Sequence, residues 1–194
     1  CEVACKEWNA IGPAGELTLT GKSFDNTEHL GASTWRHVAF VEQPKQGDGP
    51  DFRWLMASDV CKHCTEAPCL DVCPTGSLFR SEFGTVVVQQ DICNGCGYCV
   101  SGCPYGVIDR RPHDGRAQKC TLCYDRLRDD QMPACAQACP TTSIKFGDLD
   151  EMVAELNGGG APAANMLVDP GVLTAKRVEQ LGARYRSVVD RVRG

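Results

Sequence analysis

Residues 93–104 read Cys-Asn-Gly-Cys-Gly-Tyr-Cys-Val-Ser-Gly-Cys-Pro, so four cysteines have the spacing C-x2-C-x2-C-x3-C and a proline follows them. Two-residue gaps allow one tight loop to wrap three corners of an iron–sulfur cubane, while the fourth cysteine lies beyond the loop and reaches a neighbouring cluster. Gly95, Gly97 and Gly102 fit this geometry, because glycine permits positive φ and a close approach of backbone N–H groups to sulfur. The stretch therefore predicts thiolate ligands for more than one cluster.

The chain has 194 residues and 14 cysteines, which fall into four groups. The groups are Cys1 and Cys5 (C-x3-C); Cys61, Cys64, Cys69 and Cys73 (C-x2-C-x4-C-x3-C); Cys93, Cys96, Cys99 and Cys103; and Cys120, Cys123, Cys135 and Cys139 (C-x2-C-x11-C-x3-C). In the last three groups the fourth cysteine precedes a proline, and an apolar residue that could start a strand follows five positions after the cysteine. This internal repeat predicts at least two ferredoxin-type units.

The first group completes the pattern if Cys1 and Cys5 end a C-x2-C-x2-C-x3-C run that begins before residue 1. The chain would then be a cut piece of a protein with four sets of four cysteines. Because ferredoxin motifs exchange their fourth ligands, symmetry predicts four [4Fe-4S] clusters in the full-length protein, three of them fully liganded here, with swapped assignments left open. The predicted ligand sets are Cys61, Cys64, Cys69 and Cys103; Cys93, Cys96, Cys99 and Cys73; Cys120, Cys123, Cys135 and Cys5; and, half liganded, Cys1 and Cys139.

Two other uses of the cysteines are disfavoured. C-x2-C and C-x3-C pairs are cramped for structural disulfides. Paired C-x2-C knuckles do bind zinc, and a zinc-binding structural module remains a remote alternative. Zinc does not explain three-cysteine loops with a distant fourth ligand and a proline.

Composition excludes several classes of function. A net charge of −5 with no basic tract argues against binding to nucleic acid. No apolar run approaches the roughly 20 residues of a membrane span, so we expect no transmembrane segment in this chain. There is no phosphate-binding loop, nucleophile–base pair or dinucleotide fingerprint. We therefore expect no active site of the chain's own, and no open iron site of a radical enzyme.

Several side chains beside the cysteines have two interpretations. His63 lies within the second cysteine group and is near a cluster, most simply without being a ligand. Lys6, Lys62 and Lys119 each adjoin a cysteine, where they either offset the negative charge of a thiolate cluster or are solvated. Trp8 either packs over a cluster or lies at an interface with a partner.

The pattern predicts an α+β fold of two nested ferredoxin-like units with an α-helical C-terminal tail. The predicted outer unit comprises residues 1–57 and 114–147, the inserted unit residues 58–113, and the helical extension residues 148–194. Within these we expect a strand over 34–42 that ends before Pro44, a loop over 43–51, a hairpin of 77–80 with 85–89, a short helix or loop over 121–130, and tail helices near 148–156 and from 170 onward.

Four stretches resemble the iron–sulfur β subunits of respiratory formate dehydrogenases, within a wider family of four-cluster electron-transfer subunits. The resemblance covers roughly residues 1–156. Its stretches are Cys1-Glu-Val-Ala-Cys-Lys-Glu-Trp-Asn9, Cys61-Lys-His-Cys-Thr-Glu-Ala-Pro-Cys-Leu-Asp-Val-Cys-Pro74, Cys93-Asn-Gly-Cys-Gly-Tyr-Cys-Val-Ser-Gly-Cys-Pro-Tyr105, and Lys119-Cys-Thr-Leu-Cys-Tyr-Asp-Arg126 with Pro133-Ala-Cys-Ala-Gln-Ala-Cys-Pro140.

The resemblance implies an electron wire in anaerobic respiration. A molybdenum or tungsten pterin in a catalytic α subunit would oxidise formate, and electrons would pass to a cytochrome b, a quinone or a soluble acceptor. The implied location is peripheral to the cell membrane, with the outer, periplasmic face favoured over the cytoplasm. The wider family leaves dimethyl sulfoxide, polysulfide and nitrate reductases and some hydrogenases as alternative partners. Two first-group ligands are absent, and residues beyond about 157 depart from the family pattern.

Overall fold

A computed structural model describes residues 1–13, 27, 29–44 and 52–147 of this chain. Short helices and strands alternate along it, and most of them flank a cysteine. In chain order they are α1 (Glu2–Trp8), β1 (Arg36–Pro44), β2 (Phe52–Val60), α2 (Pro68–Asp71), β3 (Leu78–Arg80), β4 (Val86–Val88), α3 (Tyr98–Gly102), β5 (Asp109–Arg110), β6 (Ala117–Gln118), α4 (Tyr124–Arg128) and α5 (Ala134–Gln137).

The described strands form three antiparallel pairs: β1 with β2, β3 with β4, and β5 with β6. The hairpin expected from residues 77–89 is confirmed as β3 and β4, and the segment 121–130 contains the short helix α4. The expected strand at 34–42 is present, but the prediction that it ends before Pro44 was wrong, because Pro44 pairs with Phe52. A proline lacks an N–H donor and is tolerated at the end of such a ribbon. The loop predicted over 43–51 was wrong at its first two residues, since Gln43 and Pro44 belong to β1. Its other residues, 45–51, and both predicted tail helices lie outside the described residues.

The helices that carry cysteines pack in two pairs. α2 carries Cys69 and contacts α3, which carries Cys99. α1 carries Cys5 and contacts α5, which carries Cys135. In each pair, one helix comes from an earlier cysteine group and the other from a later group.

Apolar side chains and cysteine thiols share one core. Its buried members are Val60, Cys61, Ala67, Cys69, Leu78, Val86, Val88, Cys99, Val107, Ile108, Ala117 and Cys120. Leu78 also begins β3, as the repeat predicts, whereas Ile108 immediately precedes β5. Four cysteines, Cys61, Cys69, Cys99 and Cys120, are thus held inside the packed core, whereas Cys96 is exposed.

The internal repeat is also a repeat of backbone geometry. In each copy, the residue three positions after the fourth cysteine donates its N–H to that cysteine's carbonyl and has positive φ. The three donors are Gly76 (3.3 Å, φ 66°), Gly106 (3.3 Å, φ 63°) and Thr142 (3.2 Å, φ 53°). Thr142 is the strained copy, because a β-branched side chain rarely adopts this conformation.

We expect Thr142→Gly to stabilise the chain by about 1 kcal/mol, because left-handed backbone costs a non-glycine residue about 1–2 kcal/mol. In a chain of this size that gain raises the melting temperature by about 2–4 °C. The reciprocal variant Gly76→Thr is the control and should melt at a lower temperature than wild type. A Thr142→Gly protein that melts no higher than wild type would contradict the strain argument.

Candidate metal centres

Four cysteines from two different sequence groups surround one cavity. This Cys61 site consists of Cys61, Cys64, Cys69 and Cys103, all of which line the cavity. Together with its mouth, the cavity holds about 320 Å³ not filled by protein atoms, and Val86, Val107 and Ile108 complete its wall. Among the described residues, no three His, Cys, Asp or Glu side chains converge as they would on a single ion. The thiols of this site instead surround a space.

Two of the thiols at this cavity, those of Cys64 and Cys69, have raised pKa values. Burial, and then the neighbouring Cys61, raises the pKa of Cys64. Burial raises the pKa of Cys69 to about 11, and Cys61, Cys103 and Cys64 add to the rise. Crowded, buried thiols become thiolates when a metal centre takes the place of their protons. The donor set therefore fits a cluster better than it fits free thiols.

A second set, the Cys93 site, joins the run at residues 93–99 to the earlier Cys73. Burial raises the pKa of Cys99, and Cys93, Cys96 and Cys73 are the charged neighbours that add to the rise. At Cys73 burial also raises the pKa, but hydrogen bonds from Ser77 and Thr75 outweigh it and lower the pKa to about 6. Cys73 is thus electrostatically close to the third cysteine group and already surrounded by hydroxyl donors.

Backbone around the Cys93 site needs its glycines for two different reasons. Gly95 and Gly97 have φ of 73° and 81°, as the sequence predicts. Gly102 does not have positive φ; a Cβ there would lie 2.9 Å from Val72 Cγ2, so glycine is required for the packing of α3 on α2. Ala117 N–H also approaches Cys93 Sγ at 3.5 Å.

A third set, the Cys120 site, consists of Cys120, Cys123 and Cys135 of the last cysteine group together with Cys5 of α1. Burial raises the pKa of Cys5 to about 12, and the neighbouring Cys135 and Cys123 add to the rise. Burial likewise raises the pKa of Cys120, with Cys61 and Cys5 as its charged neighbours. The four sulfurs of the Cys120 site thus belong to residues at opposite ends of the described chain.

Asn9 connects the two ends of this site. Its Nδ2 lies 3.8 Å from Cys5 Sγ and 3.7 Å from Cys123 Sγ, and it also donates to the Cys5 carbonyl at 2.9 Å. The loop from Leu122 to Cys123 has φ of 56° and 50° without any glycine, and Leu122 N–H donates to Cys120 Sγ at 3.3 Å. Sequence analysis missed both features, because Asn9 is 114 positions from Cys123 and no glycine marks the loop.

Cys1 and Cys139 are the two cysteines outside these three sites. Cys1 is half-buried ahead of α1. Burial acts to raise the pKa of Cys139, but the Thr141 hydroxyl and backbone N–H groups outweigh it and lower the pKa to about 7. The hydroxyl two residues beyond the fourth cysteine repeats the arrangement of Thr75 at Cys73.

Lys119 is a buried cation between two of these sites. Its side chain belongs to a residue that is only 2% exposed. The ammonium Nζ donates to the Val86 carbonyl, to the Cys120 carbonyl at 2.9 Å and to Cys61 Sγ at 3.5 Å. All three N–H donors are thereby used, but no carboxylate of the described residues is among the partners. A buried charge without a counter-charge is strongly unfavourable, and a metal–thiolate cluster is negatively charged.

His63 places an unused donor at the same cavity. It is 9% exposed, lines the cavity, and has φ of 46°. Its Nδ1 accepts the Val86 N–H at 3.1 Å, so the neutral ring carries its proton on Nε2. Burial, and then the nearby Lys119, lowers the pKa of His63 and keeps it neutral. Nε2 is buried and has no hydrogen-bond partner among the described residues.

The other side chains singled out beside the cysteines are those of Trp8, Lys62 and Lys6, and the structure gives the contacts or burial of each. Trp8 is 45% exposed, donates from Nε1 to Asp125 at 2.8 Å, and lies under the Arg126 guanidinium at 4.2 Å from its ring centroid. It therefore fastens α1 to α4. Lys62 pairs with Asp59 at 3.3 Å, and Lys6 is half-buried. Of the three lysines beside cysteines, Lys119 alone is fully buried.

The class of protein follows from these sites and from comparison with known families. Residues 52–149 match the family model of the 4Fe-4S dicluster domain. This chain therefore belongs to the 4Fe-4S dicluster domain family, and the groups its thiols are suited to bind are [4Fe-4S] clusters. The buried ammonium of Lys119 and the unpartnered Nε2–H of His63 fit such an anionic group.

Comparison with individual proteins indicates a narrower class than the domain family does. The formate dehydrogenase iron-sulfur subunit of Haemophilus influenzae is 39% identical over 180 residues, which is 89% of this chain and 56% of that protein. The nitrate-inducible formate dehydrogenase iron-sulfur subunit of Escherichia coli is 38% identical over 89% of this chain and 60% of its own length. Protein NrfC of Escherichia coli is 36% identical over 81% and 62%. The chain thus spans less than two thirds of each of these relatives.

Proposed function

We propose that this chain is an electron-transfer subunit that carries [4Fe-4S] clusters between a catalytic partner and an electron acceptor. The observation that carries the proposal is the Cys61 site, where thiols from two cysteine groups line one cavity beside a buried ammonium. When bound, such clusters supply one-electron redox centres. The chain's own residues hold them with thiolates and exclude water with apolar side chains.

The proposed ligand sets are those that symmetry predicts. The Cys61, Cys93 and Cys120 sites would each hold one cluster with four ligands, and Cys1 and Cys139 would contribute to a fourth. Support comes from the charge interactions of Cys64 and Cys69 with Cys103, of Cys99 with Cys73, and of Cys5 with Cys123 and Cys135. No described contact supports the Cys1 and Cys139 set, which rests on the sequence pattern alone.

The proposed architecture is the nested one, with residues 58–113 inserted into an outer unit of 1–57 and 114–147. The two helix pairs support it, because α2 with α3 uses the second and third cysteine groups while α1 with α5 uses the first and fourth. Lys119 contacts both Cys61 and Cys120, so the Cys61 and Cys120 sites adjoin. Electrons would therefore pass directly between the inserted unit and the outer unit.

The proposed electron donor is a molybdenum- or tungsten-pterin catalytic subunit that oxidises formate, since the formate dehydrogenase iron-sulfur subunits match 89% of this chain. The proposed acceptor is a membrane cytochrome b, a quinone or a soluble carrier, with the complex peripheral to the membrane at its outer face. No helix in the described part of the chain has the length and apolarity needed to cross a membrane. The resemblance to the wider family keeps the catalytic subunit of another molybdopterin reductase (dimethyl sulfoxide, polysulfide or nitrate) or of a hydrogenase as the second candidate.

Formate should reduce the clusters of the full-length protein when it is purified anaerobically from its host with its bound partners. Low-temperature EPR before and after addition of formate is the measurement, with dithionite as the control reductant. Signals that appear with formate support both the electron-transfer role and the proposed electron donor. If the preparation retains its catalytic subunit and signals appear with dithionite alone, the chain is an electron-transfer subunit of another oxidoreductase. A protein without iron or acid-labile sulfide refutes the proposal.

A further inference from the structure

Two polar side chains outside the proposed ligand sets, His63 and Lys119, both hydrogen-bond to the backbone of one buried residue beside the Cys61 site. Val86, in β4, is 1% exposed. Its N–H donates to His63 Nδ1, and its carbonyl accepts from Lys119 Nζ. The peptide backbone of β4 thus fixes both side chains, which leaves little freedom for either to move away from the cavity.

Each side chain offers positive charge or a donor to the site. Lys119 Nζ lies 3.5 Å from Cys61 Sγ, and His63 lines the cavity with an Nε2–H that has no partner in the described part of the chain. Lys119 Nζ also donates to the Cys120 carbonyl at 2.9 Å, which places the ammonium beside the adjoining Cys120 site. Donors to thiolates and cluster sulfurs stabilise the more negative, reduced state and so raise its reduction potential.

We propose that Lys119 and His63 are positioning residues that raise the reduction potential of the cluster at the Cys61 site, and that Lys119 does the same at the adjoining Cys120 site. The inference rests on the proposed ligand sets. The proposal predicts which clusters each side chain affects. Lys119 acts on two clusters because it contacts Cys61 and the Cys120 carbonyl, whereas His63 acts on one cluster and neither acts on the Cys93 site.

The test is an EPR-monitored redox titration of the cluster-loaded complex. Signals are assigned from Cys64→Ala and Cys123→Ala proteins, which should lose the signals of the Cys61 and Cys120 sites, respectively. Lys119→Met and Lys119→Gln should each lower the ratio of reduced to oxidised cluster about tenfold at both sites, measured at the wild-type midpoint potential. For a one-electron couple this is a shift of about 59 mV. Lys119→Arg keeps the charge and should restore the ratio.

Matched variants separate this effect on the reduction potential from a general disturbance of the protein structure. His63→Leu should lower the ratio at the Cys61 site and leave the Cys120 site unchanged. Lys6→Met removes a lysine that also adjoins a cysteine, but one that is half-buried and is not among the charges acting on Cys5. It should change either ratio by less than about twofold, as expected for a partly solvated charge. The signal of the Cys93 site is an internal reference in every variant.

Unchanged midpoints in Lys119→Met with full iron content would overturn the inference, as would an equal shift in Lys6→Met. If the Lys119 variants lose their iron, His63→Leu decides, and an unchanged midpoint at the Cys61 site overturns the inference. Wild-type protein that lacks iron–sulfur signals, or a Cys64→Ala protein that retains all of them, would count against the proposed function instead.

Discussion

Cys103→Ala is expected to remove the cluster of the Cys61 site and to leave the cluster of the Cys93 site in place. This is so although Cys103 is in the same sequence run as Cys93, Cys96 and Cys99. The reason is spatial, since Cys103 lines the cavity with Cys61, Cys64 and Cys69. The variant should lose about four iron atoms per chain, the content of one cubane. Electron transfer to the final acceptor should stop, while dye reduction by the catalytic subunit remains. Iron analysis, EPR and the two activity assays measure these outcomes.

Cys73→Ala is the reciprocal control. It should remove the signal that Cys93→Ala removes, because Cys73 interacts with Cys99. Cys103→Ala should share its missing signal with Cys64→Ala. If Cys103→Ala and Cys93→Ala instead lack the same signal, each run binds its own cluster and the exchange of ligands is wrong. Iron content equal to wild type in Cys103→Ala would exclude Cys103 as a ligand.

Gly95→Ala is expected to destabilise the chain by about 3 kcal/mol, which adds the cost of positive φ to the cost of overpacking. Gly95 has φ of 73°, and a Cβ there would lie 2.8 Å from the Gly115 carbonyl oxygen. Backbone cannot yield as a flexible side chain would. The melting temperature of the cluster-loaded protein should fall by about 10 °C, at about 2–4 °C per kcal/mol.

Gly106→Ala is the matched control for this prediction. Gly106 also has positive φ and lies three residues beyond Cys103, but a Cβ there would meet nothing within 4 Å. Only the conformational cost remains, about 1 kcal/mol, so its melting temperature should fall by about 3 °C. Equal losses in the two variants would show that contact with Gly115 does not limit the three-cysteine loop.

The family, the cofactor and the β3–β4 hairpin could be predicted because their signals are local. Cysteine spacing is read within about ten residues, and turn residues between short apolar segments indicate a hairpin. The state of Lys119 could not be predicted in this way. It contacts Val86 and Cys61, which are 33 and 58 positions away, so only the folded chain distinguishes it from Lys6 and Lys62.

Local sequence signals also failed where a residue has a backbone conformation or a strand position that its residue type rarely has. Glycine marks the positive φ at Gly95 and Gly97, but Leu122 and Cys123 adopt the same region without it. Likewise, Pro44 continues β1 against the usual preference of proline. In both places tertiary packing and ladder pairing outweigh the local preference of the residue.

The packing of α1 on α5 has a consequence for the order in which the protein is made. α1 ends at Trp8, but its partner α5 begins only at Ala134, so α1 is synthesised well before the helix on which it packs. Cys5 therefore reaches its packed position only after almost all of the described chain has been synthesised. The inserted pair α2 and α3 is complete much earlier. The pair α2 and α3 should thus pack before the pair α1 and α5, and the Cys5 thiol is open to oxidation until the last cysteine group arrives.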